Sequence, residues 1–172
     1  ALGGTYTFDS GLSVDADFLY SIANDAAYYV DVSQEQIGVT TTGQPIFDYA
    51  TGRDNFMLTN SDRDAKSTSF SLVARHDYDF GLDWMVGYAF TDAEDISPMT
   101  SSTGGSNFDN LATNTIVNPE AGISNYNTPH RITARLSYGK EFLAGYESRI
   151  TAMFYRKQGQ GQSHVMGSVD LE

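Results

Sequence analysis

From His130 onward the apolar residues fall on every second position: Ile132, Ala134, Leu136, Tyr138 and Phe142, with Lys140 the one exception. Arg131, Thr133, Arg135, Ser137 and Glu141 fall between them. A period of two is that of a strand with one apolar and one wet face. The pattern breaks at Leu143-Ala144-Gly145 and resumes with Tyr146, Ile150, Ala152 and Phe154 against Glu147, Arg149, Thr151, Tyr155 and Lys157. The spacing predicts a hairpin over residues 129–157. Each arm holds about twelve residues, where strands of soluble domains usually run about five or six. At about 3.3 Å per residue an arm is roughly 40 Å long and, tilted by about 45°, crosses a hydrocarbon layer of about 30 Å. These are dimensions of a transmembrane barrel.

The same pattern recurs upstream. Leu2, Tyr6 and Phe8 alternate with Thr5, Thr7 and Asp9, then a Ser10-Gly11 turn leads to Leu12, Val14, Ala16, Phe18 and Tyr20 against Ser13, Asp15, Asp17 and Leu19. Aspartates on a strand in this alternation require a wet inner face. A second hairpin runs from Ala65 to Phe80, turns at Gly81 and continues through Leu82, Trp84, Val86, Tyr88 and Phe90. A weaker strand is expected over Ser163–Leu171, although HVMGSVDLE also reads as translated cloning sites. Seven strands and no helix are predicted.

Residues 22–64 and 92–128 lack this periodicity and are expected to be long loops. Gly38, Gly43, Pro45 and Gly52 interrupt the first, whose short apolar pieces, residues 27–32 and 56–58, are expected to prolong the neighbouring strands. Connections therefore alternate short and long, as in outer-membrane barrels with short periplasmic turns and long outer loops. That polarity orients every strand. Aromatic residues then gather at both ends of the apolar face: Phe80, Trp84, Tyr138 and Phe142 at the inner end, Tyr20, Tyr88, Phe90 and Phe154 at the outer end. Val14, Ala16, Leu72, Val86, Ala134, Leu136 and Ile150 lie between them. The expected fold is thus all-β, a segment of an antiparallel up-and-down transmembrane β-barrel occupying residues 1–172. A soluble β-sandwich also alternates, but it requires neither long arms nor aromatics at both ends of its apolar face.

Charge adds a location. The chain carries ten basic and 22 acidic residues, a net of −12, which argues against nucleic acid as a partner. Residues 22–64 hold seven acidic and two basic side chains, and residues 91–128 hold five acidic and no basic ones. No Cys is present, so disulfides and thiolate metal sites are excluded. No apolar run reaches the length of a membrane helix, and no signal peptide opens the chain, so a processed N-terminus or an excised piece is expected.

Candidate chemistry is sparse. Tyr28, Tyr29, Phe47, Tyr49 and Phe56 in the first long loop are candidate ligand-contacting aromatics, the alternative being that they pack the loop on itself. Arg131, Arg135 and Arg149 with Glu141 and Glu147 are expected to form an ion-pair ladder on the wet face, or to contact a plug. His76, His130 and His164 are expected as interfacial side chains rather than metal ligands, and Asp92, Glu94 and Asp95 as solvated acids rather than a calcium loop. No catalytic triad, carboxylate pair or phosphate loop stands out, so an enzyme is not expected, nor any cofactor or metal.

The run TDAEDISPMTSSTGGSNFDN, followed by SNYNTPHRITARLSYGKEFLAGYESRITAMFYRKQGQ, resembles the C-terminal barrel half of TonB-dependent outer-membrane receptors of the Oar-like subgroup. The resemblance rests on Phe90–Ala93, Thr100–Asn110, His130-Arg131 and Phe154–Gln160, with LTNSDRDAKSTSFSLVARHDYDFGLDW upstream. It implies an outer-membrane location and a barrel of about 22 strands closed by a plug, importing a scarce ligand with energy relayed by TonB. Its partners would be outer-membrane lipid, the remaining strands and plug, and TonB through an N-terminal part absent from this sequence. No plug, no TonB-contacting segment and no aromatic C-terminal residue are present, so a fragment is expected. The alternatives are a small eight-stranded barrel with an adhesion or structural role, and a soluble β-sandwich binding module. The ligand itself is not legible.

Overall fold

A computed structural model describes residues 1–50, 52, 55–113 and 115–163. The chain forms two compact units, one of residues 1–21, 67–92 and 127–160, the other of residues 22–66, 93–126 and those from 161.

The first unit is built on an antiparallel sheet. Its strands are β1 (Leu2–Thr7), β2 (Ser13–Ala23), β7 (Ala65–Asp77), β8 (Leu82–Asp95), β10 (His130–Leu143) and β11 (Tyr146–Lys157), lying side by side in that order. The third hairpin, β10–β11, matches the alternation of its sequence almost residue for residue. β8 runs four residues past Thr91, where alternation had faded, because Glu94 and Asp95 pair with the short strand β9 (Gly122–Ile123).

The short turns have a local cause. Phe8-Asp9-Ser10-Gly11-Leu12 and Tyr78-Asp79-Phe80-Gly81-Leu82 close in the same way, with the N–H of Phe8 and of Tyr78 donating to the carbonyl of Leu12 and of Leu82 at 2.8 Å. Gly11 and Gly81 take φ of 87° and 94°, left-handed values that glycine adopts without a Cβ penalty. Gly81 is constrained further, since a Cβ there would lie 2.0 Å from the Gly139 carbonyl oxygen. At the third turn Gly145 has φ 83°, and its N–H donates to the Glu141 carboxylate at 2.5 Å across a bulge between Glu141 and Leu143.

Register makes the two faces continuous. Leu136 stands opposite both Trp84 and Ala152, and Ala134 opposite both Val86 and Phe154. One residue along, Ser137 stands opposite both Asp83 and Thr151. The burial of these faces is inverted relative to an ordinary core: Leu136 is 51% exposed and Ile150 71%, whereas Ser137 is 3% exposed.

The second unit corrects the expectation of irregular loops. β3 (Ala27–Asp31) pairs with β6 (Phe56–Asn60), and β4 (Gln34–Val39) with β5 (Pro45–Tyr49), each as a two-stranded antiparallel ribbon. The apolar pieces at 27–32 and 56–58 pair with each other in a separate sheet instead of prolonging β2 and β7. Asp25, at φ 50°, breaks the chain between β2 and β3. A helix, α1 (Gly104–Asp109), also forms where none was expected. Gly104 and Gly105 disfavour it locally, but Thr103 caps it by accepting from the Ser106 N–H at 3.3 Å, and the Asn107 side chain donates to the Ser101 and Thr103 carbonyls. The seventh expected strand, Ser163 apart, lies outside the described residues, as does His164.

Candidate functional site

Two polar constructions sit on the wet face of the first unit. Asp83 accepts from Arg135 at 2.9 Å and from Arg149 at 2.7 Å, with its own side chain 13% exposed. Arg149 also lies 3.6 Å from Glu147. Beside them the Thr151 hydroxyl is 3.1 Å from that of Ser137, and a cleft of about 510 Å³ opens among Asp77, Asp83, Arg135, Ser137, Arg149 and Thr151. Nearer the first hairpin, Arg75 pairs with Asp15 at 3.5 Å, and Asp15 accepts from Thr5.

These contacts revise the expected ladder. Its centre is Asp83, from a different hairpin, because the β8–β10 register sets Asp83 against Ser137, two residues from Arg135 on the same face of β10. Glu141 is taken up by its own turn through Gly145, and Arg131 stands opposite Lys157 with no acid partner among the described residues.

The five loop aromatics do not form one cluster. Tyr28 is 5% exposed, and its hydroxyl donates to the Val117 carbonyl at 2.7 Å. Burial, and to a lesser extent the negative charge of Asp62, pushes its phenol above the ordinary value. Tyr29 and Phe56 share one face of the β3–β6 ribbon and pack on α1, the Phe56 ring centroid 5.5 Å from that of Phe108. Glycine lets the rings approach closely there, since a Cβ at Gly105 would lie 2.9 Å from the Phe56 ring and one at Gly104 3.0 Å from that of Tyr29, so that the rings would have to shift. Phe47 and Tyr49 lie apart on β5, opposite Gln36 and Gln34.

The aromatics assigned to the ends of the apolar face are distributed along the sheet. Tyr20, Phe80, Phe142 and Phe154 are exposed, and Trp84, Tyr88, Phe90 and Tyr138 are half-buried. His130 joins Tyr88 and Phe90, its Nδ1 2.9 Å from the Tyr88 hydroxyl and its ring centroid 5.7 Å from that of Phe90. His76 lies 4.1 Å from Tyr78, itself 5.2 Å from Phe80, and its Nε2 donates to the Ser10 carbonyl at 2.7 Å.

Asp92, Glu94 and Asp95 follow one another on β8, and Glu94 and Asp95 project from opposite faces of the strand. A second cleft, of about 500 Å³, is lined in part by Asp95, Asp109, Glu120, Asn110 and Gln162. Among the described residues no group of three or more His, Cys, Asp or Glu side chains is arranged to hold a metal ion. Among the described residues no helix is long and apolar enough to cross a membrane, which does not bear on crossing by strands.

Compared with known protein families, curated proteins and solved structures, the chain matches none.

Proposed function

We propose that this chain forms part of the barrel wall of a TonB-dependent outer-membrane receptor, an energy-coupled importer, with residues 22–64 and 92–128 as its ligand-facing outer region. The observation that carries the reading is the exposed apolar face of β10 and β11. Between Lys140, opposite Ser148, and Arg156, opposite Ile132, that face holds only Tyr138, Leu136, Ala134, Ile150, Ala152 and Phe154. The separation of Lys140 and Ile132 along β10 is about 26 Å at roughly 3.3 Å per residue. At a tilt of about 45° this stretch rises roughly 19 Å along the membrane normal, which lies within the roughly 25 Å apolar band of outer-membrane barrels and leaves both cations within reach of its edges. Cations at both rims and none between are what a lipid face tolerates, because long basic side chains extend to the interface. Inside, the Asp83, Arg135 and Arg149 group keeps its charges paired and wet, as a lumen wall requires.

A soluble sandwich would need a second layer over this apolar face, and the resemblance of the 91–160 region to receptor barrels supports the transporter over it. The test is peptide mapping and intact mass of the parent polypeptide in purified outer membranes. Peptides of this chain in a polypeptide several times longer, together with peptides of an upstream plug, are expected. A parent of about this size, or one found only in soluble fractions, would sink the proposal.

A further inference from the structure

We infer that the open end of the β10–β11 hairpin carries an oxyanion site, for a carboxylate or phosphate group of a small ligand, formed by Arg131, Lys157, Thr133 and Tyr155. Register brings them together: Arg131 stands directly opposite Lys157, and Thr133 directly opposite Tyr155, all on the face of Ser137. Two like charges facing each other across a strand pair repel, and an anion lying between them relieves that repulsion. No carboxylate of the described residues supplies it, since neither cation has an ion-pair partner among them, although the chain carries twelve excess negative charges. Two steps along the same face, by contrast, Arg135 is neutralised by Asp83.

The flanking strand leaves room. On β8 the residues opposite Arg131 and Thr133 are Ala89 and Gly87, which bring neither charge nor bulk. The strand ends are held in register by the Gln158 N–H, which donates to the His130 carbonyl at 2.8 Å, so the two cations stay facing each other without a ligand. A guanidinium fork, an ammonium and two hydroxyls on one surface supply the donors that a carboxylate or phosphate takes up. The chemistry stands on the register alone. Assigning the site to an imported ligand, and so making that ligand anionic, rests on the transporter reading.

The experiment uses the full chain in detergent micelles, titrated with sodium phosphate and with sodium citrate against sodium chloride at matched ionic strength, read by thermal shift and calorimetry. Saturable binding of phosphate or citrate, with a rise in Tm that chloride does not give, is expected. Arg131→Gln and Lys157→Gln are each expected to weaken it by roughly tenfold. The double variant is expected to lose it while its Tm in chloride stays equal or rises, because the repulsion is gone; this separates loss of the site from loss of the fold. Absence of saturable binding, or binding retained by the double variant, overturns the inference. Binding without a plug-bearing parent in the outer membrane would leave the site standing and remove only its link to transport.

Discussion

Tyr28 shows how a single side chain ties distant parts of the second unit together. Its ring is buried and its hydroxyl reaches across 89 positions of sequence to the Val117 carbonyl. Because burial raises the phenol's folded pKa above its unfolded value of about 10, the folded state holds the proton more tightly. Stability from this group is fully present below that unfolded value and is lost as pH climbs towards the folded one. Hydrogen exchange of the β3–β6 amides is therefore expected to quicken selectively above about pH 10, beyond the intrinsic rate increase. Tyr28→Phe should remove that excess and cost about 1 kcal/mol at neutral pH by leaving the Val117 carbonyl without its donor. An unchanged pH profile in the variant would show that another group is responsible. At the same scale, Asp83 and Gly81 differ in how far sequence exposes them. The need for glycine at 81 is legible from the Tyr78–Leu82 turn, whereas the role of Asp83 depends on arginines 52 and 66 residues away.

Among the elements, β10 and β11 carry the strongest local message. Alternation over 14 and 12 residues leaves one register in which all the apolar side chains share a face, since a one-residue slip would invert every one of them. The same length exposes the reading to test. Leu136→Arg places a cation midway between Lys140 and Arg156, and in a bilayer should cost about 2–4 kcal/mol. In a folding titration from urea into lipid vesicles, this variant should be destabilised by that amount, whereas Ser148→Arg at the rim should lose no more than about 1 kcal/mol. Equal losses at the two positions would contradict a lipid-facing band. The ribbons β3–β6 and β4–β5 were not legible by the same means. Five- or six-residue strands offer two or three alternations each, too few to stand out among Asp, Asn and Gly. The β3–β6 pairing, as in Tyr29 opposite Leu58, joins positions far apart in sequence, whereas β4 and β5 are separated only by residues 40–44. Helix α1 is harder still, since its Gly104-Gly105 start opposes helix and is explained only by the Tyr29 and Phe56 rings packed against it.

For the molecule as a whole, the decisive feature is a sheet with two open edges. Among the described residues β1 is bonded only to β2, and β11 only to β10. Unpaired N–H and C=O groups are not sustained in hydrocarbon, so the membrane reading requires further strands along both edges. In native outer membranes the outward amides of β11 are then expected to be as protected from hydrogen exchange as those of β10, and in the isolated chain to exchange much faster. Fast exchange of those amides in the native membrane would exclude barrel closure. Sequence alone determined the long antiparallel hairpins, their glycine turns and the separation of an apolar from a wet face, because each depends on residues within one turn or one strand. Tertiary structure alone decided which charges meet, as at Asp83, and which are left facing one another, as at Arg131 and Lys157. It also decided that β3 pairs with β6 and that Gly104–Asp109 forms a helix against them. Those outcomes depend on register between distant strands and on side chains that meet only when the chain has folded, and no local spacing encodes them.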